Sequence, residues 1–261
     1  MTDLKKLLAD VEPVLARAAA ALMEMRRSGI DATRKDGYDV VTAADLASEK
    51  IVIEGLRALT PDAAILSEEA GAFAGKQDSR WIIDPLDGTV NFAAGLPLFS
   101  VTVAYQEKGE TLLGATRAPL LPMAATYVRG LRADVDGVPV KVSPIRRLAD
   151  AVVSVILTSH FSSTEMKRTI AILDRLSTRT RGVRIIISGA LEMSMVAAGQ
   201  LDAFVSIKAD AVSHAGAMPL VKAAGGRTTT LAGVESGVDD LEKISSNGHL
   251  HDELLEVLKG V

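Results

Sequence analysis

The sequence predicts an α/β fold, α+β in its first half and alternating α/β in its second. Three observations predict it. Apolar residues fall at helical spacing over residues 4–25 and again after Val40, as in amphipathic helices. Short β-rich runs bounded by turn residues recur between 63 and 128. From 152 to 224, strand and helix patterns then alternate, the signature of α/β layering.

The first helix, 4–25, is rich in Ala and Leu, with Pro13 as a point of kinking or of a fresh first turn. Residues 26–39 carry Gly29, Gly37 and many charges and read as a mobile loop. A Thr/Asp start at Thr42 and Asp45 opens a second helix that closes before Pro61. Strand-like runs follow at 63–66, 81–83, 99–105, 111–118 and 123–128, with Glu107-Lys108-Gly109-Glu110 as a hairpin turn. The character changes around Val138-Pro139-Val140-Lys141-Val142-Ser143-Pro144, which divides the chain into 1–142 and 143–261. The second part reads as strand 152–158, helix 164–177, strand 183–188, helix 191–199, strand 203–207 and helix 215–224.

Composition narrows the function. The 261 residues suffice for one large domain or two modest ones with their own cores. With 48% hydrophobic and 24% charged residues the chain has the balance of a soluble globular protein. No apolar run approaches the roughly 20 residues that span a bilayer, so no membrane partner is expected. The absence of cysteine excludes disulfides, thiolate metal sites and cysteine nucleophiles together, and fits a cytoplasmic setting. A net charge of −4 and only 3% aromatics argue against nucleic acid as a partner. Four scattered histidines, at 160, 214, 249 and 251, do not make a zinc site, and His249 and His251 read as surface residues.

Chemistry concentrates in Trp81-Ile82-Ile83-Asp84-Pro85-Leu86-Asp87-Gly88-Thr89-Val90-Asn91-Phe92. The apolar run reads as a buried strand, and Pro85 forbids its continuation as an interior strand. The chain is therefore expected to turn at 84–87 and present both carboxylates. Gly88 lets backbone approach a ligand, and a helix opening at Thr89 points unpaired amides at an anion such as phosphate. An Asp-Gly pair alone is more often a plain turn. Here it is joined by Ser67-Glu68-Glu69 after another apolar run, and by Asp45. Asp45 also suits a simple helix cap, and the two roles are compatible.

These segments, V-T-x-x-D ending at Asp45, the Glu68-Glu69 doublet, the W-I-I-D-P-L-D-G-T-x-N-F run and Gly95-Leu96-Pro97, resemble the inositol monophosphatase family of Mg²⁺-dependent phosphatases. Gly199 to Ala203, Ala224-Gly225-Gly226 and Ser246-Asn247 extend the resemblance along most of the chain. It implies a layered αβαβα sandwich, a site between the two halves, and a homodimer. It also implies hydrolysis of a small phosphorylated metabolite with two or three Mg²⁺ ions, Mn²⁺ being possible. By resemblance, Glu69, Asp84 and the Leu86 carbonyl hold the first ion, and Asp84 and Asp87 begin the shell of the second. Thr89, paired with Asp45, orients the attacking water, and the Gly88 and Thr89 amides take the phosphate. Lys35 aligns with a lysine near the metal-bound waters.

The family's second signature is altered. Its metal-binding Asp falls at Ser213, its Trp at Val212 and its Glu at Ala223, while an acid that touches substrate hydroxyls falls at Ser206. Asp210 and His214 stand near enough to replace the lost ligand. The bland alternative makes Asp210 a helix cap and puts His214 on the first turn. Two functions stay open: a working phosphomonoesterase acting on a polyol or sugar phosphate, or a degenerate relative that binds a phosphorylated metabolite or a partner with little or no turnover.

Overall fold

In the computed structural model, residues 2–28, 32–34 and 40–261 are described. Helix α1 (Leu4–Ser28) buries Leu8, Val11, Leu15, Ala18 and Leu22, a stripe at three- and four-residue spacing, and runs through Pro13, which lies on its exposed side. Strands β1 (Ala32–Arg34) and β2 (Val40–Thr42) pair antiparallel where a loop was expected. Residues 26–28 of that expected loop belong instead to the end of α1, and 29–31 and 35–39, Lys35 included, lie outside the described residues. Helix α2 (Ala43–Leu59) follows directly.

Strands β3 (Ala64–Ser67), β4 (Gly71–Phe73) and β5 (Ser79–Asp87) lead through the short helix α3 (Thr89–Ala93) to β6 (Ser100–Glu107) and β7 (Glu110–Ala118). Strands β8 (Met123–Val128), β9 (Arg132–Val135) and β10 (Val138–Pro139) complete an eight-stranded sheet ordered β10-β9-β8-β7-β6-β5-β3-β4. Within this sheet, among the described residues, only β3 and β5 pair in parallel. The β6–β7 hairpin turns through Lys108 and Gly109, both at positive φ (52° and 79°), which matches the twist of the strands it joins.

The second half contributes β11 (Val152–Val155), α4 (Ser163–Ser177), β12 (Gly182–Arg184), α5 (Gly189–Ala197) and β13 (Ala203–Ser206). After these come α6 (Ala211–His214), α7 (Met218–Ala223), β14 (Arg227–Thr229), β15 (Lys243–Ser246) and α8 (His251–Val257). Its five strands are ordered β12-β11-β13-β15-β14.

Burial arranges these elements in five layers. Leu15, Leu22, Val52 and Leu56 of α1 and α2 cover one face of the first sheet at Trp81, Ile83 and Val103. Between the sheets, Leu191, Val196 and Leu220 of α5 and α7 pack against Met123 on one side and Phe204 on the other. Ile172, Leu176 and Leu254 of α4 and α8 close the outer face of the second sheet over Val153 and Ile244. The order is αβαβα. Among the described residues no helix is long and apolar enough to cross a membrane.

Three expectations need correction. Strand β5 does not stop at Asp84. It continues past Pro85 to Asp87, because its register against β6 shifts between those two aspartates. A bulge lets the proline, which has no N–H, sit outside the ladder. The helix expected over 215–224 shortens to α7 at 218–223, with α6 a separate turn before it, and Pro219 sits in the first turn of α7, where its missing N–H breaks no helical bond. His251 is wholly buried rather than on the surface, held between Thr229 Oγ1 and Ser246 Oγ, both at 2.8 Å.

Candidate active site

The bulge in β5 aims two carboxylates toward the second half of the chain. Asp84, 1% exposed, accepts from Leu86 N at 3.1 Å through Oδ1 and from Ser213 Oγ at 2.7 Å through Oδ2. Asp87 turns Oδ2 toward Ser188 Oγ (2.6 Å), Ser100 Oγ (3.1 Å) and the Ala190 amide (3.1 Å) at the start of α5. A helix start suits a carboxylate because its amides lack partners inside the helix.

Gly88 follows at φ +89°, and a Cβ there would stand 2.8 Å from Leu98 O, so only glycine fits the turn. Thr89 Oγ1 lies 3.1 Å from Asp45 Oδ1 and 3.0 Å from Leu86 O. Asn91 Nδ2 donates to Leu98 O at 2.8 Å and to Ile186 O at 2.7 Å, which ties this turn to the second half. Next to that tie, Ile187 is held at φ +61°, an uncommon and costly conformation for a β-branched residue, and it lines the same cavity.

The structure brings Glu68, not Glu69, into this cavity. Glu68 N bonds Ile83 O at 3.2 Å, so the ladder of β3 with β5 runs one residue beyond Ser67. Side chains alternate along a strand. Ser67 therefore reaches Glu49 on the helical side at 2.6 Å, while Glu68 faces the acids. Glu68 thus stands at the cavity wall, one residue before the position expected to face it. From the second half come Ser206, buried, and the α6 turn, where Asp210 Oδ1 caps Ser213 N at 2.7 Å. The bland expectation for Asp210 holds in that bond, while its charge acts on Glu68, Asp84 and Asp87.

Together Glu68, Asp84, Leu86, Asp87, Gly88 and Thr89 face Ser206, Asp210, Ser213 and His214 across a cavity of about 560 Å³. Asp45 stands behind Thr89, and Lys35 lies outside the described residues. Burial first, then repulsion from Glu68 and Asp87, holds Asp84 well above the ordinary carboxylate range. Burial also raises Asp87, although the Ser188 hydrogen bond pulls it back. Glu68 is exposed on its solvent side, yet the protein packed around its carboxyl is dense enough that burial, then Asp210, pushes it up to about 8. A cavity that forces acids together in this way calls for positive charge, and an all-oxygen donor set suits hard divalent cations such as Mg²⁺. As the side chains stand, no three His, Asp or Glu residues among those described meet closely enough to share one ion.

A larger groove of about 870 Å³ lies elsewhere, but its charged residues are already paired, Arg129 with Glu110, Lys222 with Glu235 and Arg227 with Asp252. It gathers no set of acids. The sequence reading missed Glu68, for which alternation after Ser67 was the available signal. It also missed Ser100 and Ser188, which the fold brings to Asp87 from distant segments, and the Thr158 to Phe161 stretch that lines the cavity.

With this arrangement in view, comparison defines the class of protein. A model of the inositol monophosphatase family matches residues 3–260, and the chain belongs to that family. It is similar to the fructose-1,6-bisphosphatase/inositol-1-monophosphatase of Thermotoga maritima, 36% identical over 229 residues, 87% of this chain and 86% of the relative. It is also similar to the Nus factor SuhB of Pasteurella multocida, 34% identical over 238 residues, 90% of this chain and 88% of the relative. Among solved structures, the Thermotoga maritima IMPase superposes with a TM-score of 0.88 at 34% identity, covering 97% of this chain and 96% of that one. The extragenic suppressor protein suhB of Bartonella henselae gives 0.92 at 27% identity, covering 98% and 100%.

Proposed function

We propose that this protein is a divalent-cation-dependent phosphomonoesterase that hydrolyses a small polyol or sugar phosphate. The observation that carries the reading is the set Glu68, Asp84 and Asp87 held at one cavity wall, beside the Gly88-Thr89 turn and the Thr89–Asp45 pair. Membership in a phosphatase family and similarity to the Thermotoga maritima fructose-1,6-bisphosphatase/inositol-1-monophosphatase support it. Glu68, Asp84 and the Leu86 carbonyl would hold one Mg²⁺, and Asp84 with Asp87 would begin the shell of another. Bound there, the ions would supply a water acidic enough to attack at neutral pH and a counter-charge for the departing oxygen.

The chain's own residues do the rest. Thr89 gives its hydroxyl proton to Asp45 or to Leu86 O, which turns an oxygen lone pair toward the cavity. A water donating to that lone pair is aimed at phosphorus, and Asp45 takes up its proton through Thr89 as the new P–O bond forms. The ester P–O bond breaks on the far side, and the alcohol leaves with a proton from solvent. The Gly88 and Thr89 amides hold the phosphate oxygens in line. Phosphate release from a panel of inositol, hexose and glycerol phosphates, with Mg²⁺ or Mn²⁺ varied, tests this. Turnover that tracks metal supports it, and none with any ester or metal overturns it.

A second reading has its own support. Ser213 fills the place of a ligand acid and occupies Asp84 Oδ2, and relatives at 31–36% identity are named Nus factor SuhB. On that reading the chain binds a phosphorylated metabolite or a partner with little or no turnover. Tight phosphate-ester binding without metal-dependent hydrolysis would favour it.

A further inference from the structure

We propose that this chain seats its second divalent cation on Asp210 and His214, in place of a ligand at position 213, and that the imidazole makes this seat prefer Mn²⁺ to Mg²⁺. The inference rests on the phosphatase reading only in using the same cavity.

The ring of His214 is 3% exposed and fixed on three sides. Its Nδ1 lies 2.6 Å from Asp210 O, and since a carbonyl only accepts, Nδ1 carries the hydrogen. Phe204 packs against the ring at 5.5 Å between centroids. Gly189 makes the third side: a Cβ there would lie 2.6 Å from Nε2, so only the missing side chain gives the imidazole its place.

That leaves Nε2 as one of the few buried polar atoms among the described residues without a hydrogen-bond partner. An orphaned buried polar atom destabilises a fold, so its presence asks for a use. It lies beside Gly189, next to the Ala190 amide that meets Asp87, and His214 lines the same cavity as Asp87, Asp210 and Ser213. A histidine that donates one ring N–H to a backbone carbonyl and leaves the other nitrogen unpaired has the arrangement of metal-binding imidazoles, whose tautomer is set in this way.

Asp210 supplies the charge. Oδ1 is spent on the Ser213 amide, and Oδ2 takes no hydrogen bond, while the carboxylate is close enough to act on Glu68, Asp84 and Asp87. One oxygen and one nitrogen from a single turn, completed by water and Asp87, replace the carboxylate that Ser213 lacks. Mg²⁺ keeps to oxygen ligands, whereas Mn²⁺ and its later neighbours accept imidazole.

The test uses the metal-free full-length chain titrated calorimetrically with MnCl₂ and MgCl₂, and pulsed EPR of the Mn²⁺-loaded protein. The expected result is ¹⁴N coupling from directly bound imidazole in the unaltered chain. His214→Gln should lose that coupling and weaken the second Mn²⁺ at least about tenfold, with Mg²⁺ binding unchanged. Asp210→Asn, which keeps the helix cap, should weaken both ions about tenfold. Absence of nitrogen coupling at saturating Mn²⁺ overturns the proposal without relying on any variant, and so does equal Mn²⁺ affinity in His214→Gln. Hydrolysis of p-nitrophenyl phosphate is followed in parallel. Coupling without turnover keeps this seat and sinks the phosphatase reading, while turnover without coupling does the reverse.

Discussion

Asp84→Asn should make the metal-free protein more stable while ending metal-dependent turnover. Asp84 is 1% exposed, and its charge is opposed by burial and by Glu68, Asp87 and Asp210. Two unit charges about 6 Å apart repel by about 3 kcal/mol at an effective dielectric near 20. An amide removes that repulsion and keeps the local bonds: Oδ1 still accepts from Leu86 N, and Nδ2 donates to Ser213 Oγ. Allowing for the hydrogen bond to charge that is lost, the net gain is about 1–3 kcal/mol, or about 2–6 °C in Tm for a chain of this size. The pH dependence has a definite sign. An acid whose folded pKa lies above its unfolded value stabilises the fold below the unfolded value, and that stability is lost as pH rises through the folded one. For Glu68 the window runs from 4.5 to about 8. Metal-free wild type should therefore lose Tm across that window, Asp84→Asn should lose less, and Mg²⁺ should restore wild type most at the alkaline end. Calorimetry in EDTA and in Mg²⁺ measures all three. A less stable Asp84→Asn, or a flat wild-type profile, would refute the picture of crowded, uncompensated acids.

Other outcomes follow from the same geometry. Glu68→Gln should cut metal-dependent turnover at least about a hundredfold, whereas Glu69→Gln should stay near wild type, and steady-state kinetics of both checks which one faces the metal. Ser213→Asp should lower the Mg²⁺ needed for half-maximal rate by one to three powers of ten, since it restores an opposite charge at contact distance, and an unchanged titration would remove position 213 from the site. His251 sits neutral between two hydroxyls, with burial lowering its pKa to about 4. Its contribution should be complete above about 6.5 and vanish as pH falls toward 4, so His251→Gln should flatten the acid limb of a urea-stability profile.

The layers were legible because each helix and strand in them carries its own period: α1 and α2 by three- and four-residue spacing, and β6 and β7 by apolar runs around Lys108-Gly109. What local pattern could not show was set by distant segments. Pro85 reads as a strand end until β6 supplies a partner whose register can slip past it. His251 reads as polar and terminal until β14 and β15 close over it. The carboxylates at 84 and 87 stood out as a pair, but Glu68 and Glu69 are adjacent in sequence, and only the extra ladder bond from Glu68 N to Ile83 O decides which faces the acids. The donors from Ser100 and Ser188 to Asp87 join residues 13 and 101 positions away, a separation that no motif spans.

The account stands or falls on whether this acidic wall takes cations beside a phosphate. Crystals grown without metal and soaked in MnCl₂ and inorganic phosphate, measured at the manganese absorption edge, give the direct answer. Anomalous peaks bounded by Glu68, Asp84, the Leu86 carbonyl and Asp87, with phosphate density against the Gly88 and Thr89 amides, are the predicted result. Saturated crystals with no peak there, and Asp84 still bonded to Ser213, would contradict it.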